Sequence, residues 1–315
     1  MTKKNPKNKE VASASLTLGP LLFNWPPEKW RDFYFRIADE APVDSVSIGE
    51  VVCSKRAPFF EPYLADVVER LEAAGKEVVH STLALIMSER EMDWVRDIAA
   101  TAGLLVEAND ISACALLAGR PHAVGPLVNV YNEGTLDFLV GRGARRVCLP
   151  GELPASSIEV LAGHLGGAAE LEVMVFGRLP LAISARCYHA RSRGISKDNC
   201  LFVCEEDPDG MDVETIDGKP FLAVNGTQTL SHTYCCLVAE MGSMGDMGVS
   251  HFRLSPHDID MVAVAQAFRR VLDGRLDAGG ACRALEGLIG GAPISNGFYY
   301  GREGDVLVGA RQAAE

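Results

Sequence analysis

The chain has no run of 18 apolar residues, so no membrane-spanning helix is expected. Its start, Met1 to Ser15, is polar and Lys-rich and lacks the apolar stretch that an export signal needs; it reads as a disordered tail. No G-x-G-x-x-G follows the first strand pattern, which counts against a dinucleotide-binding doubly wound sheet. An H-E-x-x-H helix is absent and no Ser–His–Asp or Cys–His pattern stands out, so a hydrolase has little support. Positive charge is scarce. The net charge is −12, and because residues 1–10 contribute +3, the remainder carries −15. An acidic body argues against a general nucleic-acid surface. The nine cysteines are an odd number, which makes a complete disulfide framework improbable; without an export signal they point to a reducing, cytoplasmic setting.

What is present is a long alternation of strand-like and helix-like segments. With 315 residues, 48% of them hydrophobic, the chain can bury a substantial core without metals or cross-links for support. Strand patterns fall at Leu16–Phe23, Ser45–Cys53, Glu77–Leu83, Leu104–Glu107, Ala123–Val130, Arg146–Leu149, Leu171–Phe176 and His251–Leu254. Amphipathic stretches lie between them, including Pro62–Ala74 and Ser88–Thr101, the latter with Ser88 as cap and Glu91 at capping-box spacing. Eight strand–helix units predict an α/β fold, a TIM-barrel-like (β/α)8. The expected division is a tail at 1–15, a barrel at 16–278 interrupted by an insertion at 178–249, and a Gly-rich C-terminal tail at 279–315 packing on the barrel. Such an insertion would sit on the C-terminal rim, where barrels place their chemistry.

The insertion carries Cys187, Cys200 and Cys204 in the spacing Cys-x12-Cys-x3-Cys, and Cys53 lies far upstream in Gly49-Glu50-Val51-Val52-Cys53. A single buried cysteine is ordinarily a small hydrophobe. Three within 18 residues of a polar loop are harder to read that way. If Cys200 and Cys204 share a helical turn, positions i and i+4 face one centre. Cys53, at the end of the second strand pattern, is the best candidate for a fourth ligand. Spacing alone leaves an iron–sulfur cluster and zinc both open, although the spacing does not match the C-x2-C knuckles of structural zinc sites. Cys114, Cys148, Cys235, Cys236 and Cys282 sit in apolar segments and read as packing residues.

Cations gather near the same segments: Arg178, Arg186, Arg191, Arg193, Lys55 and Arg56. Balancing thiolate charge is the plainer reading; recognition of a carboxylate-bearing substrate is the other. Candidate acid–base groups are Glu50, Glu107, Asp110, His80, His189 and His232. Glu50, His80 and Glu107 fall at or near strand C-termini, the catalytic end of a barrel. No catalytic residue is fixed by a motif; Glu50 and Arg186 are the candidates to test.

The segment Glu172-Val173-Met174-Val175-Phe176-Gly177-Arg178 through Leu179-Pro180-Leu181-Ala182-Ile183-Ser184-Ala185-Arg186-Cys187 resembles the E-x-x-x-F-G…Cys signature of the collagenase-like peptidases, the U32 family. Leu18-Gly19-Pro20…Asn24-Trp25 and Gly49-Glu50-Val51-Val52-Cys53-Ser54-Lys55-Arg56 are similar as well, and the likeness covers about residues 16–300. The L-P-L-A-x-S-A-R-C variant, with Cys200 and Cys204 downstream, resembles the oxygen-independent ubiquinone-biosynthesis branch of that family. The resemblance implies a barrel-like fold and a [4Fe–4S] cluster on Cys53, Cys187, Cys200 and Cys204. It implies a heterodimer with the homologous cluster protein UbiU, and a lipid-binding, SCP2-type UbiT-like protein alongside. The implied activity is hydroxylation of the aromatic ubiquinone precursor without molecular oxygen, with prephenate as oxygen donor. A non-catalytic iron–sulfur scaffold or electron-transfer subunit is the alternative. A third reading, hydroxylation of RNA bases, is weighed down by the acidic body. Nothing marks a peptidase nucleophile, so the peptidase label is not carried over.

Overall fold

The computed structural model describes residues 14–309; the tail expected at 1–15 falls outside that range, apart from Ala14 and Ser15, and Ser15 already opens the first strand. Seven strands come first: β1 Ser15–Leu18, β2 Ser45–Ile48, β3 Glu77–Ser81, β4 Leu105–Ala108, β5 His122–Val124, β6 Ala144–Leu149 and β7 Glu170–Ile183. Then follow β8 Met211–Glu214, β9 Pro220–Asn225, β10 Gln228–Cys236, β11 His251–Leu254 and β12 Ile294–Ser295. The strands β1 to β7 pair in sequence order, β11 pairs with β1, and β11 also pairs with β7. Each of these pairings is parallel. The sheet therefore closes into an eight-stranded parallel barrel, as the alternation predicts.

Helices connect the strands: α1 Pro27–Glu40, α2 Ala57–Ala73, α3 Glu89–Ala100, α4 Ile111–Leu116, α5 Glu133–Gly141 and α6 Ala155–Leu165. After β7 come α7 Tyr188–Ser192, α8 Met241–Met247, α9 Met261–Leu272 and α10 Ala278–Leu288. Their starts follow local capping chemistry. The Ser88 hydroxyl accepts the Glu91 N–H at 3.3 Å, and the Glu91 carboxylate accepts the Met87 N–H, a relative of the capping box. Asp110, Asn132, Asp260 and Asp277 cap α4, α5, α9 and α10 in the same way. Helix α1 buries Trp30, Tyr34, Ile37 and Ala38, a helical stripe facing the barrel. Trp30 stacks on Phe60 of α2 with centroids 4.8 Å apart, a contact worth about 0.5–1.5 kcal/mol beyond its area. The Tyr34 hydroxyl accepts the Leu21 N–H at 3.2 Å and so anchors the loop that leaves β1.

Several boundaries differ from the sequence reading, each for a local reason. The second strand ends at Ile48 rather than Cys53, because Gly49 turns the chain with φ of 125°. Helix α2 begins at Ala57, directly after a 3-10 turn at Ser54–Arg56, and runs through Pro62. Within the insertion, the stretch Phe221–Val238 is β structure, folded into a hairpin of β9 and β10. The glycine-rich region after residue 278 holds α10, which packs on α9, and β12, which pairs with β10.

The longest strand positions the site. Beyond Phe176, β7 leaves its partner β11 and pairs antiparallel with β10, which carries β9 and β8 in turn. Gly177 sits at this departure with φ of 116°, and a Cβ there would lie 2.7 Å from both the His257 ring and Ser255. Only glycine fits such a position. One strand thus serves the barrel and then a four-stranded antiparallel lobe on its C-terminal side.

Inside the barrel lies a compact polar core. The Arg253 guanidinium donates to Glu172 at 2.8 Å and also to Glu107. Thr17 donates to Glu172, and Ser81 and Asn109 donate to Glu107 at 3.0 and 3.1 Å. All of these side chains are buried. Burial alone would raise the Glu172 carboxyl, but Arg253, Thr17 and Arg146 override it and hold the group at about 2.

Candidate functional site

The four cysteines of interest lie on three segments of the C-terminal rim. Cys53 is half-buried and leads into the 3-10 turn Ser54–Arg56. Cys187 is buried and caps α7, its sulfur accepting the Ala190 N–H at 3.4 Å. Cys200 ends the 3-10 turn Lys197–Asn199, and Cys204 lies in a second such turn, Val203–Glu205. The expectation that Cys200 and Cys204 share one helical turn fails here. Leu201 and Phe202 both take positive φ, 49° and 55°, so the chain reverses between the two thiols. Left-handed geometry at two successive bulky residues is costly and persists only where the surroundings impose it. Phe202 is seated edge-on against Phe59 of α2 at 4.7 Å.

Cys187 and Cys200 lie near enough to Cys204 to act on it electrostatically, whereas Cys53 is linked to Cys204 through the charge of Arg56. Among the described residues no three His, Cys, Asp or Glu side chains are gathered closely enough to hold a metal ion as they stand. Burial pushes the Cys204 thiol up; Arg56 pulls it down, and Cys187 and Cys200 push it up further. Burial likewise raises Cys53, with Arg56 opposing and Glu50 adding to the rise. Arg56 is therefore the charge that Cys53 and Cys204 share. It is 3% exposed, and its guanidinium donates to the Leu22 carbonyl at 3.0 Å and to Asn225 Oδ1 at 2.7 Å. Its Nε–H has no partner.

A turn that the sequence reading did not single out ties the three segments together. Asn225, Gly226 and Thr227 join β9 to β10. The Asn225 amide donates to the Cys204 carbonyl at 2.9 Å and to the Asp207 carbonyl at 2.8 Å. The Thr227 hydroxyl donates to the Val52 carbonyl, next to Cys53, at 2.9 Å. The Gly226 carbonyl accepts the His189 N–H, and the Thr227 carbonyl accepts the Ser184 N–H, on either side of Cys187. Gly226 has φ of 66°, and a Cβ there would collide with the Arg56 guanidinium. The signal for this turn was in the sequence, since an Asn-Gly-Thr step between two apolar runs marks a hairpin.

Of the other candidates, some belong to this rim and some do not. Glu50 is buried, and its carboxylate accepts the N–H groups of Val52 and Cys53 at 2.8 and 2.9 Å, which fixes the loop leading to Cys53. Burial raises its carboxyl, while Arg56 and those N–H groups oppose the rise. His189 is buried with Nε2 2.9 Å from Asp207, yet neither atom is aligned for a hydrogen bond; burial favours the neutral ring. Glu107 belongs to the barrel core, and Asp110 is a helix cap. His80 lies within β3, with burial lowering its pKa. His232 on β10 stands 3.9 Å from Asp212.

The cations divide in the same way. Arg186, Arg191 and Lys197 line a cavity of about 580 Å³ beside Cys187, with Ser196 on its wall and no carboxylate among the lining residues. Lys55 donates to the Lys197 carbonyl at 2.7 Å. Arg193 pairs with Glu206 at 2.9 Å. Arg178 is drawn toward Asp209 at 3.5 Å, in a network where His257 accepts the Arg178 N–H and its other ring nitrogen meets Asp209 at 2.6 Å. That network locks the cysteine loop to the end of β11.

Residues 30–306 match the family model described as peptidase family U32. Among solved structures, the U32 peptidase Mk0906 aligns over 80% of this chain and 96% of its own length, at 12% identity and a TM-score of 0.46. An uncharacterized protein from Clostridium thermocellum that binds two copies of 5-methyl-5,6,7,8-tetrahydrofolic acid aligns over 84% and 95%, at 10% identity and a TM-score of 0.44. Tryptophan synthase from M. tuberculosis aligns over 87% and 95%, at 15% identity and a TM-score of 0.41.

Proposed function

The chain belongs to peptidase family U32, and from that premise we propose that it is a UbiV-like iron–sulfur subunit, working in a heterodimer with UbiU in oxygen-independent hydroxylation of the ubiquinone ring precursor. Cys53, Cys187, Cys200 and Cys204 would hold a [4Fe–4S] cluster. The observation that carries this reading is the shared turn: Asn225, Gly226 and Thr227 bind the segments of all four thiols, and Arg56 supplies one buried positive charge to Cys53 and Cys204. All four thiols are free, and four thiolates with compensating cations suit such a cluster. When bound, the cluster supplies redox-active iron that can pass electrons or activate an oxygen donor.

The chain's own residues do the rest. Glu50 fixes the Cys53 loop through two N–H contacts. The Arg56 guanidinium offsets thiolate charge, which a buried site requires. Arg186, Arg191 and Lys197 offer a cationic seat beside Cys187 for a carboxylate-bearing small molecule, which suits prephenate as donor. The family's peptidase name is not extended to this chain. A UbiT-like carrier would deliver the lipid precursor, and the protein would work in the cytoplasm.

Metal analysis of the anaerobically purified protein tests this, together with identification of what co-purifies. About four irons and four sulfides per chain are expected, with UbiU bound; zinc in place of iron under strict anaerobiosis would overturn the proposal. Cys187→Ala should lose the cluster, since three thiolates leave one iron short of a ligand. An intact cluster in that variant would remove Cys187 from the ligand set.

A further inference from the structure

At the end of β10 farthest from the Asn225–Thr227 turn lies a cavity of about 980 Å³, bounded by α10 and by parts of the segment from Ile294 to Gly309. Glu240 lines it and is 5% exposed. Its Oε1 accepts from the Asn296 amide at 3.0 Å and from the Tyr300 hydroxyl at 3.1 Å. Its Oε2 has no partner among the described residues. Those two donors have nothing left to give. The Asn296 amide spends its other N–H on the Val308 carbonyl at 3.0 Å, and its oxygen accepts the Val308 N–H at 2.7 Å; the Tyr300 hydroxyl has a single proton. Glu240 directly precedes α8, yet its side chain does not cap that helix. Two donors on one oxygen favour the ionised carboxyl. A buried carboxylate whose second oxygen stands open is costly until a cation or donor meets it.

We propose that this cavity is a binding site for a small primary amine, whose ammonium group pairs with Glu240 Oε2. Charge selects the sign of the ligand. Glu286 and Glu303 share the lining with Glu240, against Arg302 alone, so the cavity draws cations. The hydrogen bonds select the kind of cation. With Oε1 filled, one oxygen is open, which suits the point charge of an ammonium better than the two-pronged fork of a guanidinium. The lining also presents Ile294, Val306 and Val308, an apolar wall along which a short hydrocarbon stem can lie. The site stands apart from the cysteine rim and does not depend on what the rim binds.

The test is a calorimetric titration of the full-length protein with butylamine at neutral pH and fixed ionic strength. Saturable binding is expected, weakened by about tenfold or more in Glu240→Gln, which keeps the shape of the side chain and removes its charge. Butanol, with the same stem and no charge, should not saturate. The unaltered protein gives a second readout: butylamine should slow alkylation by iodoacetamide of Cys282, which lines the same cavity. Equal affinity in Glu240→Gln, unchanged Cys282 alkylation at high butylamine, or equally tight binding of butylguanidinium would each overturn the proposal. So would binding that appears only in Arg311→Ala, because that arginine, shortly after Gly309 in the sequence, would then be the partner of Glu240.

Discussion

The polar core of the barrel and the cysteine rim are both buried and charged, yet their accounting differs. In the core, Arg253, Glu107 and Glu172 satisfy one another, with Thr17, Ser81 and Asn109 filling the remaining sites. At the rim, Arg56 Nε, both ring nitrogens of His189 and Asp207 Oδ2 have no hydrogen-bond partner. A fully paired network fixes structure, whereas a partly paired one marks groups held for another purpose. Breaking the core should therefore damage the fold, and breaking the rim should damage the site.

The largest effect is expected at Arg253. Arg253→Met strands two buried carboxylates, which costs about 3–5 kcal/mol, readable as a drop in the urea midpoint at neutral pH. A loss below about 1 kcal/mol would erase the contrast. Acid should act on the same core. Glu172 is held at about 2, below its ordinary value of 4.5, so its contribution is full above pH 4.5 and fades as pH falls toward 2. Denaturation followed from pH 6 to pH 2 should show this loss, on the order of 3 kcal/mol, and Glu172→Gln should flatten it. An unchanged slope would mean that the Arg253 pairing is not what holds the group down.

At the rim, Asn225→Ala should cost about 1–3 kcal/mol, because the buried Cys204 carbonyl, the part-buried Asp207 carbonyl and the Arg56 guanidinium lose a partner. Its more telling consequence is reduced iron per chain after anaerobic reconstitution; full loading would show that the turn does not organise the thiols. The smallest structural effect is expected at Arg186, which is exposed. Arg186→Ala should leave the melting temperature within about 1–2 °C and weaken use of a carboxylate-bearing donor by about tenfold. Unaltered donor use with cluster and heterodimer intact would favour the scaffold reading.

Much of the barrel was legible in the sequence, because parallel strands buried on both faces read as apolar runs at regular intervals. The cysteine-bearing segments were legible as a set, but their conformation was not. Nothing in Cys200-Leu201-Phe202-Val203-Cys204 announces two left-handed residues; the contact of Phe202 with Phe59, more than 140 positions upstream, is a tertiary matter. Cys53 was placed at a strand end because Val51 and Val52 are apolar, yet Gly49 breaks the strand before them. Asn225 was missed for a related reason. Its importance lies in what the hairpin turn touches, and only the closed barrel brings Arg56 and Cys204 to it.

The dual service of β7 has an engineering consequence. Its first half is a stave of the barrel, and its second half is the edge on which the cysteine-bearing lobe is built. The lobe cannot be excised or grafted elsewhere as a cassette, since cutting it free at residue 178 would leave β10 without its main neighbour. Transplanting this chemistry into another scaffold would mean moving the stave along with it.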